Sequence, residues 1–355
     1  MLKTRLIYIL GLIICLSCND KSSKSVTDFT VNSFSKHYTM TNGEFLLNDS
    51  IQLADPRWIR YHPDSFLVIQ ELGMPKMIKI IDLKTNKTQE ILQKGKGPNE
   101  VINAWGINIV GKDIWVFGGQ LKKFIKLSYD KNRQFYISDA VSFEDKNCMS
   151  GIALNDSVFV GMDLPSTNRL SFYNKKGKRF KTFGEFPPYL ENDSKIDADN
   201  NIFKCNIIGV PTSNKLVLAC NDIDVLEIYD SSKGLIKRLH GPKGIKVSAR
   251  YVDIGIGKMI KTTPRIRAFN NVVANSKFFC VGYVGYETIK NERPKTEDVY
   301  PKNIFCFTWN GEPERSYSFD IPLISFDFDW EGKKIYALTI TPEPQIVVFN
   351  IEDKI

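Results

Sequence analysis

The chain has 355 residues, 43% of them hydrophobic, 25% charged and 12% aromatic, with a formal net charge of +8. This composition excludes disordered, fibrous and low-complexity classes, and the length suffices for one large domain that buries roughly three quarters of its unfolded surface. Only three histidines occur, His37, His62 and His240, which argues against a multi-histidine metal centre, and no apolar run reaches the roughly 18–20 residues of a membrane span.

The chain opens MLKTRLIYILGLIICLSC, in which Lys3 and Arg5 precede an apolar stretch from Leu6 to Leu16. That is the charge and length pattern of a signal peptide. Leu16, Ser17 and Cys18 resemble the lipobox of bacterial lipoproteins, with Cys15 where a leucine is usual. The resemblance implies cleavage before Cys18, lipidation of Cys18 (palmitate-type acyl chains) and attachment to a membrane. Each buried acyl CH₂ contributes about 0.8 kcal/mol, so several chains together anchor stably. The expected organisation is a signal peptide over 1–17, a lipidated cysteine and flexible tether over 18–42, and a folded domain over 43–355. The tether assignment rests on the polar, serine-rich run NDKSSKSVTDF after Cys18. Asp20 and Lys21, soon after that cysteine, loosely resemble the surface-export signals of gut-anaerobe lipoproteins. The expected location is therefore the outer membrane, at the cell surface or on the periplasmic face. Cleavage removes two of the 48 basic residues and none of the 40 acidic ones, so the charge falls from +8 to +6. That mild excess is spread along the chain, and no nucleic-acid partner is expected.

From residue 43 onward one pattern repeats. Strand-like runs end in Asp/Asn turns at IDLKTN (81–86), SYDKN (128–132), FYNKKG (172–177), IYDSSKG (228–234), TWNGEP (308–313) and FNIED (349–353). A second run follows each of the first five, which makes hairpins, because Asn, Asp and Gly tolerate the positive φ of tight turns. Another strand precedes each hairpin, as in SFLVIQ, DIWVFG, SVFVGM, KLVLAC, KFFCVG and KIYALTI. Shorter segments lie upstream of these: RWIRY, AWGINIV, SGIALN, FKCNIIGV, RAFNNVV and SFDFDW. Four strands per unit with a period near 50 residues predict an all-β fold, a six-bladed β-propeller of four-stranded antiparallel blades. A pair of β-sandwiches would have no reason for six similar hairpins. The last unit lacks an outer strand, and GEFLLNDSIQL at 43–53 is expected to supply it and close the ring, protecting edges that an open sheet would expose.

The run LQKGKGPNEV at 92–101 resembles the Gly-x-Gly-Pro-x-Glu turn of TolB-like, NHL-type six-bladed propeller lipoproteins, except that Val101 stands where an aromatic commonly follows the glutamate. The resemblance implies a propeller and export and no established reaction. A phosphate loop would need Gly-Lys-Ser/Thr opening a helix, whereas here Pro-Asn-Glu leads into a strand.

Little in the chain points to catalysis. No Gly-x-Ser-x-Gly elbow occurs, and apart from Cys15 and Cys18 in the expected signal segment no Cys-x-x-Cys. Asp327 and Asp329 share one face of a strand, which supplies too few oxygens for a calcium ion. Five cysteines remain after Cys15 and Cys18, namely Cys148, Cys205, Cys220, Cys280 and Cys306. An odd number leaves at least one unpaired, and four of them sit in or beside apolar runs, as buried small hydrophobes do. No catalytic residue, metal ligand or cofactor is therefore assigned.

The asymmetry lies in two insertions. Residues 241–267 carry seven basic residues against Asp253 alone, and residues 286–302 interrupt the fifth blade. Both connections emerge on one face of a propeller, and loops of this length are usually functional or disordered. Arg57, Trp58 and Arg60 lie on the first inner strand, Trp105 follows the GKGPNE turn, and Arg265 and Arg267 end the basic insertion. If the blade assignment holds, all six converge on one channel mouth. Guanidinium with indole suits a carboxylate or a sugar-like anion. The expectation is a binding or interaction module for an unknown protein or an anionic or glycan ligand. The alternative is a lyase or lactonase-like hydrolase acting at the same mouth.

Overall fold

The computed structural model describes residues 26–46, 51–145, 147–164, 166–186, 201–210, 213–253, 255, 258–288, 294–341 and 343–352. The expected signal peptide and Cys18 lie outside the described residues. Six antiparallel sheets follow one another around a ring. Blade 1 runs Pro56–His62, Phe66–Glu71, Lys76–Asp82 and Lys87–Gln93 from the channel outward. Blades 2 to 5 repeat the order with inner strands Gly106–Val110, Cys148–Ala153, Cys205–Gly209 and Ile266–Ala274. Blade 6 has Ser325–Asp329 innermost and ends at Gln345–Asn350. Among the described residues there is no α-helix.

The second strand of each blade is buried on both faces, as in Phe66–Glu71 and Lys215–Cys220, because neighbouring blades cover it from either side. Such strands read as continuous apolar runs, whereas the outer strand Lys87–Gln93 has a single buried residue. Adjacent inner strands are also tied by side chains. Ser325 Oγ accepts from Ile59 N at 3.2 Å, Asn108 clasps Ala153 through both backbone groups, and Asn271 Nδ2 donates to Phe326 O at 2.7 Å.

Glu44–Phe45 pairs antiparallel with the last strand, Phe45 opposite Val347 and Glu44 opposite Val348, and Leu46 N bonds Ile346 O at 3.0 Å. The ring is thus closed by an N-terminal strand, shorter than the 43–53 segment expected to provide it. The tether expected over 18–42 needs correction from residue 26 onward. Val26–Asp28 lies parallel to the outer strand of blade 4 (Gly234–His240), and Lys36–Met40 lies parallel to the outer strand of blade 5 (Pro313–Phe319). Between them Phe29 and Phe34 are each 3% exposed, packed on Phe305 and Phe307. The basic insertion also contains structure that its sequence did not suggest, a hairpin of Ser248–Asp253 and Lys258–Thr263.

Cys280 and Cys306, opposite each other in blade 5, form a disulfide, which corrects their reading as simple buried hydrophobes. Cys148, Cys205 and Cys220 are free and buried. The GKGPNE turn is held from within: Glu100 Oε2 accepts from Gly97 N at 2.8 Å, and Lys123 Nζ donates to Gly97 O at 2.6 Å. A Cβ at Gly95 would lie 1.9 Å from Glu100 Oε2, so a larger residue there would have to push the carboxylate aside.

Candidate functional site at the channel mouth

The inner strands all run from one face to the other, so their upstream ends surround one mouth. A cavity of about 500 Å³ opens there. Arg57, Trp58, Trp105, Arg265 and Arg267 line it together. A register shift between Pro56 and Trp58 interrupts the strict alternation of the strand, so that consecutive Arg57 and Trp58 both reach the cavity. Arg265 and Arg267 arrive from the end of the basic insertion, and Tyr300 comes from the second insertion.

Arg60 does not belong to this wall. It is two residues further along the strand than Trp58, hence about 7 Å deeper in the channel. There it is 8% exposed, and its guanidinium donates to Ile107 O at 3.2 Å, Ile59 O at 2.8 Å and Asn271 Oδ1 at 3.0 Å. Arg60 therefore ties blade 1 to blades 2 and 5 and fills the waist of the channel. Beyond it a second cavity of about 400 Å³ opens on the other face, walled in part by Asp327, Asp329 and Trp330. Burial pushes the Asp327 carboxyl up to about 6, against the opposing pull of Arg60. The two mouths thus differ in charge, one basic and one acidic.

At the basic mouth Arg57, Lys204, Arg265 and Arg267 face, among the described residues lining the cavity, a single carboxyl, Asp222. Burial raises the pKa of Asp222, while Lys204, Arg265 and Arg267 pull it down. Arg57 is partly engaged, 3.2 Å from Asp55 Oδ1 and donating to Tyr300 Oη at 3.4 Å. Trp105 is 37% exposed and lies flat over Gly119, where a Cβ would come within 1.8 Å of the indole. Its ring has the Lys122 ammonium 5.5 Å from the centroid. Trp58 instead packs against the apolar cluster between blades 1 and 2, with the Arg60 guanidinium 5.5 Å from its ring.

Two amides in this wall escaped the sequence reading. Gln70 is fully buried, and neither its Oε1 nor its Nε2 has a hydrogen-bond partner in the protein. Asn206 Nδ2 is likewise buried and unpartnered. Both side chains line the cavity. A buried polar group left unpaired costs about 1–3 kcal/mol, so three such atoms on one wall are expensive for the fold alone. The available signal in the sequence was the polar end of the otherwise apolar FLVIQE strand.

The histidines serve elsewhere. His62 Nε2 bonds Lys112 O at 3.0 Å while its Nδ1 accepts from Asp64 N, and His240 Nδ1 lies 3.1 Å from Asp28 Oδ1. Among the described residues no group of three His, Cys, Asp or Glu side chains could hold a metal ion.

Residues 63–331 match the family described as TolB-like 6-blade propeller-like. The chain belongs to the TolB-like six-bladed propellers. No curated protein matches this TolB-like chain. Among solved structures it is similar to a member of the DUF4221 family from Bacteroides vulgatus, at 13% identity and a TM-score of 0.54 over 88% of this chain and 97% of that one. It is also similar to a streptogramin B lyase, at 14% identity and a TM-score of 0.51 over 88% of this chain and 98% of that one. At these identities the likeness concerns the fold.

Proposed function

We propose that this TolB-like propeller is a lipid-anchored envelope protein that binds an anionic ligand of the carboxylated-sugar kind at its basic channel mouth. The observation that carries the reading is the wall itself: four cationic side chains on the rim and the unpartnered amides of Gln70 and Asn206 behind them. Carboxylates satisfy the guanidinium forks, hydroxyl or acylamino groups satisfy the amides, and Trp105 offers a flat apolar surface to a sugar ring. Binding recovers the cost of the unpaired amides, which makes them specificity elements. Membrane attachment through Cys18, at the cell surface or on the periplasmic face, rests on the lipobox resemblance.

The test is a thermal-shift series on the detergent-solubilised protein with glucuronate-bearing oligosaccharides and neutral ones of equal size. A ligand present at a hundred times its Kd stabilises by about 2.7 kcal/mol. Stabilisation by the acidic series that weakens with added salt supports the reading. Equal response to both series, or none to either, contradicts it.

A further inference from the structure

Cys205 opens the inner strand of blade 4, and Cys220 closes its second strand. In the ladder between these strands the two residues stand directly opposite each other. Opposed residues of an antiparallel pair carry their side chains on one face, with Cα atoms about 4.5–5.5 Å apart, inside the range a disulfide spans. The same relation in blade 5, Cys280 opposite Cys306, is already a disulfide.

Both free sulfurs also share one guanidinium. Arg169 is wholly buried and its Nη2 lies 3.3 Å from Cys220 Sγ; its Nη1 lies 3.3 Å from Met162 Sδ, to which Cys205 Sγ donates at 3.7 Å, so its charge acts on both sulfurs. Arg169 Nε is 2.6 Å from Glu227, and the same carboxylate takes Arg238 at 2.9 Å. The Arg169 charge favours a thiolate at either sulfur, while Glu227 and, at Cys220, Asp222 oppose it. Burial opposes the thiolate as well and raises both thiol pKa values, that of Cys205 to about 11. Position distinguishes the two: Cys205, 2% exposed, belongs to the wall of the channel-mouth cavity beside Asn206, whereas Cys220 is fully buried and not on that wall.

We infer that Cys205 and Cys220 form an oxidisable dithiol beside the cavity, which a small disulfide compound entering the mouth closes into a second cross-strand disulfide. The Cys205 thiolate attacks one sulfur of the oxidant, its S–S bond breaks, and one half leaves as a thiolate that takes up the proton Cys205 released. The Cys220 sulfur then attacks Cys205 Sγ, gives its proton to the departing half and expels it as a second thiol. Two protein thiols are oxidised to one disulfide, and one external disulfide is reduced to two thiols. The bridge ties Cys205–Asn206 to Cys220–Asn221–Asp222, so it fixes two stretches of the wall. This inference stands on the sulfurs and Arg169, independently of what the cavity binds.

The experiment uses the full-length protein, mildly reduced so that Cys280–Cys306 survives, then exposed to oxidised glutathione. Acid quenching, alkylation in denaturant without reductant and peptide mapping follow. The expected result is a peptide joining Cys205 to Cys220, with alkylation of both reduced about tenfold while Cys148 stays fully alkylated. Persistent alkylation of Cys205 and Cys220, or a bridge from either to Cys148, overturns the proposal. In the Cys220→Ser variant the second step is blocked, and glutathione should remain on Cys205. Absence of that adduct in a variant whose Cys280–Cys306 bridge is intact also overturns it.

Discussion

The N-terminal strap gives a demanding prediction, because a tether and a structural strap respond oppositely to the same change. Phe29 is 3% exposed, with its ring 5.1 Å from Phe307, 6.2 Å from Phe305 and 6.1 Å from Phe34, all in edge-on arrangements. Replacing it by alanine removes the transfer free energy of a buried phenyl ring and leaves a cavity that the blade 5 strands cannot close. Such substitutions cost about 3–5 kcal/mol. For a domain of this size the unfolding midpoint should fall by about 5–8 °C. Val31, two residues further on and 48% exposed, is the internal control: Val31→Ala should change stability by less than about 0.5 kcal/mol. Differential scanning calorimetry on the two variants and the parent decides the matter. A Phe29→Ala midpoint within one degree of the parent would falsify the packing of this segment, and equal loss in both variants would mean the effect is not local burial.

The other predictions concern closure, charge and the mouth. Deleting residues 26–46 removes the strap and the closing strand together, and should abolish cooperative thermal unfolding, followed by circular dichroism. Burial raises the Asp224 carboxyl to about 6, against its hydrogen bonds from Tyr283 and the 243–245 backbone. The folded protein therefore binds the proton more readily than the unfolded chain, and this group adds stability as pH falls from about 6 to about 4. Asp224→Asn should flatten that part of the stability profile measured by urea unfolding, and a slope unchanged from the parent would count against it. Asp82 has the opposite sign. Although burial works against it, its hydrogen bonds with Arg133 and nearby backbone hold its carboxyl down to about 2, so its contribution is present above about pH 4 and lost as pH falls through 2. Asp82→Asn should remove that acid-dependent loss, and an acid limb as steep as the parent's would refute the assignment. Cys18→Ser should release the protein from membranes without altering its unfolding, and fractionation with membranes after a high-salt wash would refute lipid anchoring.

The blades were legible because a propeller writes its rhythm into local chemistry. Second strands buried on both faces show as unbroken apolar runs such as KLVLAC, and tight turns show as Asp/Asn/Gly clusters. The strap was illegible for a physical reason. A fifth strand added parallel to an outer edge needs only its backbone groups, so Val26–Asp28 carries three exposed side chains and no alternation. Phe29, Phe34 and Met40 recorded its burial. At the mouth, five of the six residues named from sequence line one cavity because blade order alone brings strand starts together. Arg60 departs because depth along the strand, set by residue count, decides whether a channel residue stands at the rim or in the waist. Gln70 and Asn206 were missed because an amide's lack of partners is a property of the assembled ring, to which neither neighbouring sequence position contributes.

On the proposed function the basic mouth, not the acidic one, holds a carboxylated ligand. A crystal structure of the protein with a glucuronate-bearing oligosaccharide tests it most directly. The expected result is the carboxylate between Arg265 and Arg267 and a polar ligand atom within hydrogen-bond distance of the Gln70 amide. A ligand seated at the opposite mouth beside Asp327 and Trp330, or on the outer faces of the blades, would contradict it.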